Sequence, residues 1–344
     1  MSENFPFNKL NREAGEKKLA EETFNRVTLS FYKYVIIPDP NELRNILFFN
    51  WEKLQVLGRI YLATEGINAQ LSVPEHYFDQ FRKELDEISF FKGVPFKVAV
   101  EEPSFSFYKL TIKVRKQIVA DGLSINDYDI TNVGQHLNAK QWNEAINDGA
   151  IVVDMRNHYE SEIGHFKNAI LPDAETFREE LPMVEKILKG KEDENILLYC
   201  TGGIRCEKAS AYLKHKGFKS INQLYGGIIN YVHEVTENGL ENKFIGKNFV
   251  FDDRLAERVS DEIISSCHQC GKPCDNHTNC KNLHCNLLFL QCEECKKKYQ
   301  NCCSTSCIEI INLTEEEQKK WRSGRENKKM FHSHRKVNLK NKLK

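Results

Sequence analysis

No run of apolar residues in this 344-residue chain approaches the length of a membrane span. The opening residues, Met1-Ser2-Glu3-Asn4-Phe5-Pro6, lead into polar, charged sequence without the apolar core of a secretory signal. A cytoplasmic location is therefore expected. Excess charge is missing as well, since 49 Lys and Arg balance 49 Asp and Glu. Bulk charge thus gives no sign of a nucleic-acid partner. Flavin and haem motifs are absent, as is a facial grouping of two histidines and a carboxylate for non-haem iron. A hydrophobic content of 40% still supports ordinary globular cores, and a mean hydropathy of −0.54 marks a soluble chain. The length suits two or three domains.

What is present is unevenly placed. Ten of the twelve cysteines lie between Cys267 and Cys307, leaving only Cys200 and Cys206 elsewhere. From Gln318 onward, eleven Lys or Arg face a single acid, Glu326. A basic end of this kind is read first as solvated tail, with attraction to RNA as the sharper alternative.

The organising stretch is Leu197-Leu198-Tyr199-Cys200-Thr201-Gly202-Gly203-Ile204-Arg205-Cys206, followed by Glu207-Lys208-Ala209-Ser210. A strand-like apolar run ends in a cysteine, two glycines and an arginine follow, and helical periodicity begins at once. That order sets Cys200 on a loop whose backbone N–H groups converge above a helix N-terminus, a nest that favours an anion. The Cys200 thiol is therefore expected below the free value of about 8.5. Arg205 adds a fixed charge and a two-pronged donor. A buried core cysteine beside a tight turn is the bland alternative. Cys206, six positions on, is either a resolving thiol for an adduct on Cys200 or an inward-packing helix residue.

The loop resembles the active-site loop of rhodaneses, with four residues between Cys200 and Arg205, the sulfur-sized length. The cell-division-cycle phosphatases share the fold but carry a loop one residue longer. Around it, helix Asn138–Asn147, strand Ala150–Asp154, helices near Glu175–Leu181 and Met183–Lys189, strand Ser220–Leu224 and Gly226-Gly227 alternate as in a doubly wound α/β domain. By the resemblance, Asp154 and Arg156 organise the active-site rim; equally, they brace the strand end. Thr201, Gly202, Gly203 and Ile204 would contact substrate with them. Glu160 and the pair Gly164-His165 fall in the family's order, and His165 reads as structural.

Upstream, strand-like Val27–Ile37, helix Asn41–Leu54, strands Gly58–Ala63 and Ala69–Val73, helix Pro74–Leu85 and strand Phe96–Val100 give βαββαβ, a ferredoxin-like order. Lys33, Arg59, Lys113, Arg115 and Lys116 are candidates for a basic face. The turn Thr64-Glu65-Gly66-Ile67-Asn68 needs a permissive backbone at Gly66, and spacing assigns it no chemistry. Downstream, Cys267, Cys270, Cys274, Cys280, Cys285, Cys292, Cys295, Cys302, Cys303 and Cys307 include pairs spaced as metal ligands. They suffice for two four-thiolate sites with two left over, and His268, His277 and His284 are alternates. Structural Zn²⁺ is the favoured occupant, with an iron–sulfur cluster second.

The chain is thus a multidomain α/β and α+β protein. It comprises a polar lead-in (1–24), a ferredoxin-like, acylphosphatase-like domain (25–120) and a rhodanese-like doubly wound α/β domain (131–240). A cysteine-rich module read as zinc-binding (260–310) and a basic tail (318–344) complete it. This succession, with Glu65-Gly66-Ile67-Asn68, the block from Cys200 to Ser210 and Cys267-His268-x-Cys270-Gly271-x-Pro273-Cys274-Asp275-x-His277, resembles the rhodanese-domain tRNA uridine hydroxylases over roughly residues 25–310. The resemblance implies oxygen-dependent 5-hydroxylation of the wobble uridine with Cys200 essential. It also implies molecular oxygen as co-substrate, a reductant unidentified from sequence, and the tRNA anticodon loop as partner. Two other readings remain at this level: a sulfurtransferase carrying a Cys200 persulfide to tRNA or a small thiol, and a non-enzymatic RNA-binding adaptor, against which the intact Cys200 and Arg205 argue.

Overall fold

A computed structural model describes residues 12–100, 106–124, 127–325, 332–333 and 339. The start of the lead-in and most of the basic tail lie outside the described residues. Within them no helix is long and apolar enough to cross a membrane.

After helix α1 (Arg12–Ala20) comes a five-stranded sheet. It is built from β1 (Arg26–Tyr34), β2 (Leu57–Ala63), β3 (Gly66–Pro74), β4 (Lys97–Val98) and β5 (Leu110–Val114), in the order β4-β1-β3-β2-β5. Helices α2 (Pro40–Lys53) and α3 (Phe78–Glu87) cover one face. Asp39 caps α2 by accepting from the Asn41 and Glu42 amides, with Pro40 at the first turn. The pleat sends Leu29, Phe31, Ile60, Leu62, Ala69 and Leu71 into that core, where the Trp51 and Phe81 rings lie 5.3 Å apart. The opposite face is polar. Register aligns Lys97, Ser30, Gln70, Arg59 and Thr111 in one cross-sheet row and Tyr32, Asn68, Tyr61 and Lys113 in the next.

Two details depart from the sequence reading. The last ferredoxin-like strand is only Lys97–Val98, and a fifth strand, β5, pairs parallel with β2. Lys33 alternates onto the helix-covered side, so it does not share a face with Arg59, Lys113 and Arg115. Gly66 is required as expected: its φ is +145°, and a Cβ there would stand 2.0 Å from the Lys33 carbonyl oxygen.

The next unit is a parallel four-stranded sheet, β6 (Gln135–Leu137), β7 (Ile151–Asp154), β9 (Asn195–Tyr199) and β10 (Ser220–Leu224), ordered β6-β10-β9-β7. Between β7 and β9 lie α5 (His158–Ser161), β8 (Gly164–Phe166) and α6 (Phe177–Ile187). Strand β9 is buried on both faces. Ile196 and Leu198 join the core formed with α6 and α7 (Ile204–His215), while Leu197 and Tyr199 join the core formed with α4 (Ala139–Asn147) and α8 (Gly227–Asn238). Asn138 caps α4 in a capping box with Gln141, as expected. The two helices anticipated between 175 and 189 are one, α6. Pro182 sits on its exposed side while Phe177, Leu181 and Val184 hold the inner face, so the helix continues through it.

Strand β11 (Phe244–Phe249) then pairs with β8 and with β12 (Ala256–Arg258). The cysteine-rich segment folds around a small sheet of β13 (His277–Asn279), β14 (Leu287–Leu290) and β15 (His332–Ser333), with helices α9 (Glu293–Tyr299), α10 (Thr305–Ile311) and α11 (Glu315–Arg322).

Candidate active site

Cys200 is the first residue past β9 and is completely buried. Its sulfur accepts from the Gly203 amide at 3.1 Å and from the amides of Arg205 and Cys206, the nest expected of this loop. Burial pushes the thiol up. Donation from the Cys206 thiol, the Arg205 charge and the backbone donors outweigh it, and the net value falls to about 6. At neutral pH Cys200 is a thiolate. Cys206, in the first turn of α7, is also fully buried; burial and its hydrogen bond to Cys200 hold its thiol well above the ordinary value. One sulfur is charged and the other is its proton-bearing partner.

The loop is held from both sides. Gly203 has φ +92°, and a Cβ on it would approach the Tyr32 hydroxyl to 2.9 Å. Gly227, at the start of α8, has φ +69° and would meet the Cys200 carbonyl oxygen at 2.5 Å. The close approach lets the Ile228 and Ile229 amides donate to the Cys200 and Thr201 carbonyls. This explains why Gly226-Gly227 follows the loop so far downstream.

Arg205 differs from the sequence reading. Its Nη1 and Nη2 donate to Glu160 at 2.6 and 2.8 Å, a buried bidentate pair, so its fork is closed. It acts on Cys200 through charge. Asp154 and Arg156 do not reach substrate space. Both are fully buried, they bind each other at 2.7 and 2.8 Å, Tyr199 donates to Asp154, and Arg156 donates to the Gly164 carbonyl. They brace the strand end, the second of the two roles weighed for them. Of the remaining predicted contacts, Thr201, Gly202 and Ile204 line the cavity over Cys200, and Gly203 offers its amide to the sulfur. His165 is half-buried, its Nδ1 3.0 Å from the Phe166 carbonyl oxygen.

That cavity, of about 360 Å³, lies between the two α/β units. The polar face of the first sheet forms its roof with Ser30, Tyr32, Arg59, Tyr61, Asn68 and Lys97, and Phe251, Arg254 and Glu257 close one side. Tyr32 donates to Glu207 at 2.9 Å, Tyr34 donates to the Ile204 carbonyl at 3.2 Å, and Lys208 binds Glu65 at 3.0 Å and Asp121 at 3.1 Å. Glu65, left without a role by spacing, thus ties the first sheet to the catalytic helix and also accepts from the Ile118 amide. Glu180 on α6 is fully buried with no hydrogen-bond partner among the described residues, and burial keeps its carboxyl well above the usual range, hence neutral. Sequence reasoning missed Tyr32, Lys97 and Glu180, since each follows a pattern shared by ordinary sheet or helix residues.

The cysteine-rich segment sorts eight sulfurs into two groups, Cys267, Cys270, Cys292, Cys295 and Cys280, Cys285, Cys303, Cys307, each within 4.8 Å. Separations of 3.6 Å (Cys270–Cys292 and Cys285–Cys303) and 3.8 Å (Cys303–Cys307) match the edge of a tetrahedron with metal–sulfur bonds of about 2.3 Å. These groups could each hold a metal ion. Cys274 and Cys302, counted among the candidates, lie outside both. The histidine alternates also lie outside: His268 binds Glu162 and the Leu290 amide, His277 packs on Phe249 and His284 on Trp321.

Comparison with known proteins accords with this geometry. The family model described as UPF0176 acylphosphatase like domain matches residues 26–118, Rhodanese-like domain matches 138–234, and Rhodanase C-terminal matches 245–308. A protein of Leptospira interrogans named tRNA uridine(34) hydroxylase is 57% identical over 95% of this chain and 89% of its own. The chain belongs to the tRNA uridine(34) hydroxylase family. Proteins of the same name from Pectobacterium carotovorum and Yersinia pestis are 50% and 49% identical, each over 93% of this chain and 91% of the relative. Membership in the hydroxylase family gives the Cys200 cavity an RNA base to be weighed against. Its roof, contributed by the acylphosphatase-like sheet, is the part that a rhodanese unit alone does not supply.

Proposed function

We infer that this protein hydroxylates carbon 5 of uridine 34 in tRNA, with Cys200 as the essential residue, molecular oxygen as co-substrate and a two-electron reductant that sends the second oxygen atom to water. The observation that carries the reading is a thiolate at the floor of a cavity roofed by polar and aromatic side chains from a second domain. A cavity of this size falls within the range that takes a small organic group, and a base reaches such a site only when unstacked. An anticodon loop presents one. Outside the cavity the sheet face continues into Lys113 and Arg115, both exposed, with the Arg115 guanidinium 5.6 Å from the Tyr61 ring centroid. This basic edge is suited to phosphates flanking the base. Cytoplasmic tRNA is the substrate pool this reading requires.

Cys206 is given the resolving role: its thiol attacks the Cys200 sulfur of a sulfenic acid, breaking the S–O bond and releasing water, or of a persulfide, breaking the S–S bond and releasing hydrosulfide, and forms the Cys200–Cys206 disulfide. Unchanged turnover by Cys206→Ser would remove that role. Each four-thiolate group is assigned a structural Zn²⁺, which supplies folding energy to a segment with little apolar core. Sulfur transfer is less well supported, because Glu160 occupies the terminal Nη1/Nη2 fork of Arg205 that would face a sulfur-bearing anion end-on. Nucleoside mass spectrometry of tRNA from cells lacking the protein, restored with wild type or Cys200→Ser, tests the choice. Loss of 5-hydroxyuridine derivatives, restored only by wild type, is expected; loss of thiolated nucleosides instead would establish a sulfur relay.

A further inference from the structure

Four cations line the Cys200 cavity, and three are engaged. Arg205 is clamped on Glu160, Arg254 binds Asp252 and Glu257, and Arg59 donates to the Phe251 carbonyl at 3.3 Å. Lys97 is different. It is only 8% exposed, yet among the described residues its side chain makes no hydrogen bond and no ion pair. Its Nζ lies 4.3 Å from the Tyr32 ring centroid, and its Cδ is 3.7 Å from where a Cβ on Gly202 would stand. Pairing of β4 with β1 puts Lys97 beside Ser30 on the cavity face, over the nucleophile's loop. The nearby charges of Cys200 and Glu207 favour the ammonium, but a buried donor without a hydrogen-bond acceptor is costly, and this one lines the space a ligand would fill.

Uracil fits that requirement. Its C5=C6 bond is conjugated with the C4 carbonyl, so a nucleophile that bonds to C6 breaks the C5=C6 π bond and sends that electron pair onto O4. Resting on the uridine-hydroxylating reading above, we propose that Lys97 is a catalytic residue whose ammonium donates a hydrogen bond to O4 of the bound uracil and stabilises the charge that builds there. Removing a donor of this kind costs about 10²–10³-fold in rate.

The proposal has a pH signature. Burial lowers the Lys97 ammonium to about 8, opposed by the charges of Cys200 and Glu207. Tyr32 from β1, Arg59 from β2, Arg205, Asp252, Arg254 and Glu257 share the cavity lining with it, and Glu257 accepts from the amide of Val100, three residues along the chain. His233 of α8 contacts the carbonyl of neighbouring Val98. Loss of the Lys97 proton should produce an alkaline limb in kcat/KM near pH 8.

The test is kcat/KM for 5-hydroxyuridine formation on unmodified tRNA between pH 5 and 9.5, using wild type, Lys97→Met and Lys97→Arg, with tRNA Kd and Tm measured alongside. Expected is a loss of about 100-fold or more in Lys97→Met, with the alkaline limb gone, Kd and Tm nearly unchanged, and partial rescue in Lys97→Arg with the limb moved upward. Wild-type rates in Lys97→Met would overturn the proposal. A loss that keeps the limb, or that follows a fall in Tm or tRNA binding, would also overturn it and assign Lys97 to packing. If wild type itself forms no 5-hydroxyuridine, the hydroxylase reading is what has failed.

Discussion

Lys208, three residues beyond Arg205 on the catalytic helix, sets its Nζ 3.0 Å from Glu65 Oε2 in the β2–β3 turn of the other domain. Asp121 completes the group at 3.1 Å, and all three side chains are buried. The acylphosphatase-like sheet is therefore held over Cys200 by charge as well as by packing. The roof and Cys200 belong to one site.

Lys208→Met should leave Glu65 and Asp121 buried without their counter-charge. The expected cost is about 3–5 kcal/mol of stability, measured by urea unfolding monitored through Trp51 and Trp142. Glu65→Gln should cost less, because Asp121 still balances Lys208. Equal effects of the two substitutions would mean that the contact between domains does not depend on this charge group.

Reactivity of Cys200 should follow its thiolate. Iodoacetamide labelling at Cys200 is predicted to rise with pH about a midpoint near 6, the value to which the loop lowers the thiol, and to level off above it. Arg205→Gln and Cys206→Ala each remove a stabilising partner of the thiolate and should move the midpoint upward. The linkage has a definite sign: the folded-state value is depressed, so the thiolate's contribution to stability is complete above the unfolded value of about 8.5 and is lost as pH falls through 6. A labelling midpoint near 8.5 in wild type would contradict the nest geometry.

Metal analysis should return two Zn²⁺ per chain. Cys270→Ser and Cys303→Ser should each lose one, whereas Cys274→Ser and Cys302→Ser should keep both, since those sulfurs stand outside the four-thiol groups. A strong chelator should unfold the segment from 267 to 307, seen as loss of amide protection. Retention of two metals by Cys270→Ser would show that the first group is assigned wrongly.

The Cys200 loop was readable because several local requirements coincide in it: a strand end, converging amides, two glycines and a helix start. The domain order was readable for a similar reason, through hydrophobic period and turn residues. Relations across the chain were not. Arg205 looks like a free fork until Glu160, 45 positions away, is found to occupy it. Lys97 reads as one more strand lysine, and only pairing with Ser30 places it on the cavity face. Strand β5 was missed because its five residues gain strand character chiefly by pairing with β2, a long-range contact with weak local signal. The partition of the cysteines followed the same logic. Spacing found the knuckle pairs, but tertiary folding chose which pairs share a site.

The most direct test incubates purified protein with unmodified tRNA and a reductant (a thiol or a reduced nicotinamide) under ¹⁸O₂ and maps the product nucleosides by mass spectrometry. The expected product is 5-hydroxyuridine at position 34 carrying one ¹⁸O, formed by wild type and not by Cys200→Ser. Product formed equally by Cys200→Ser, or sulfur in place of oxygen at that base, would contradict the hydroxylase reading.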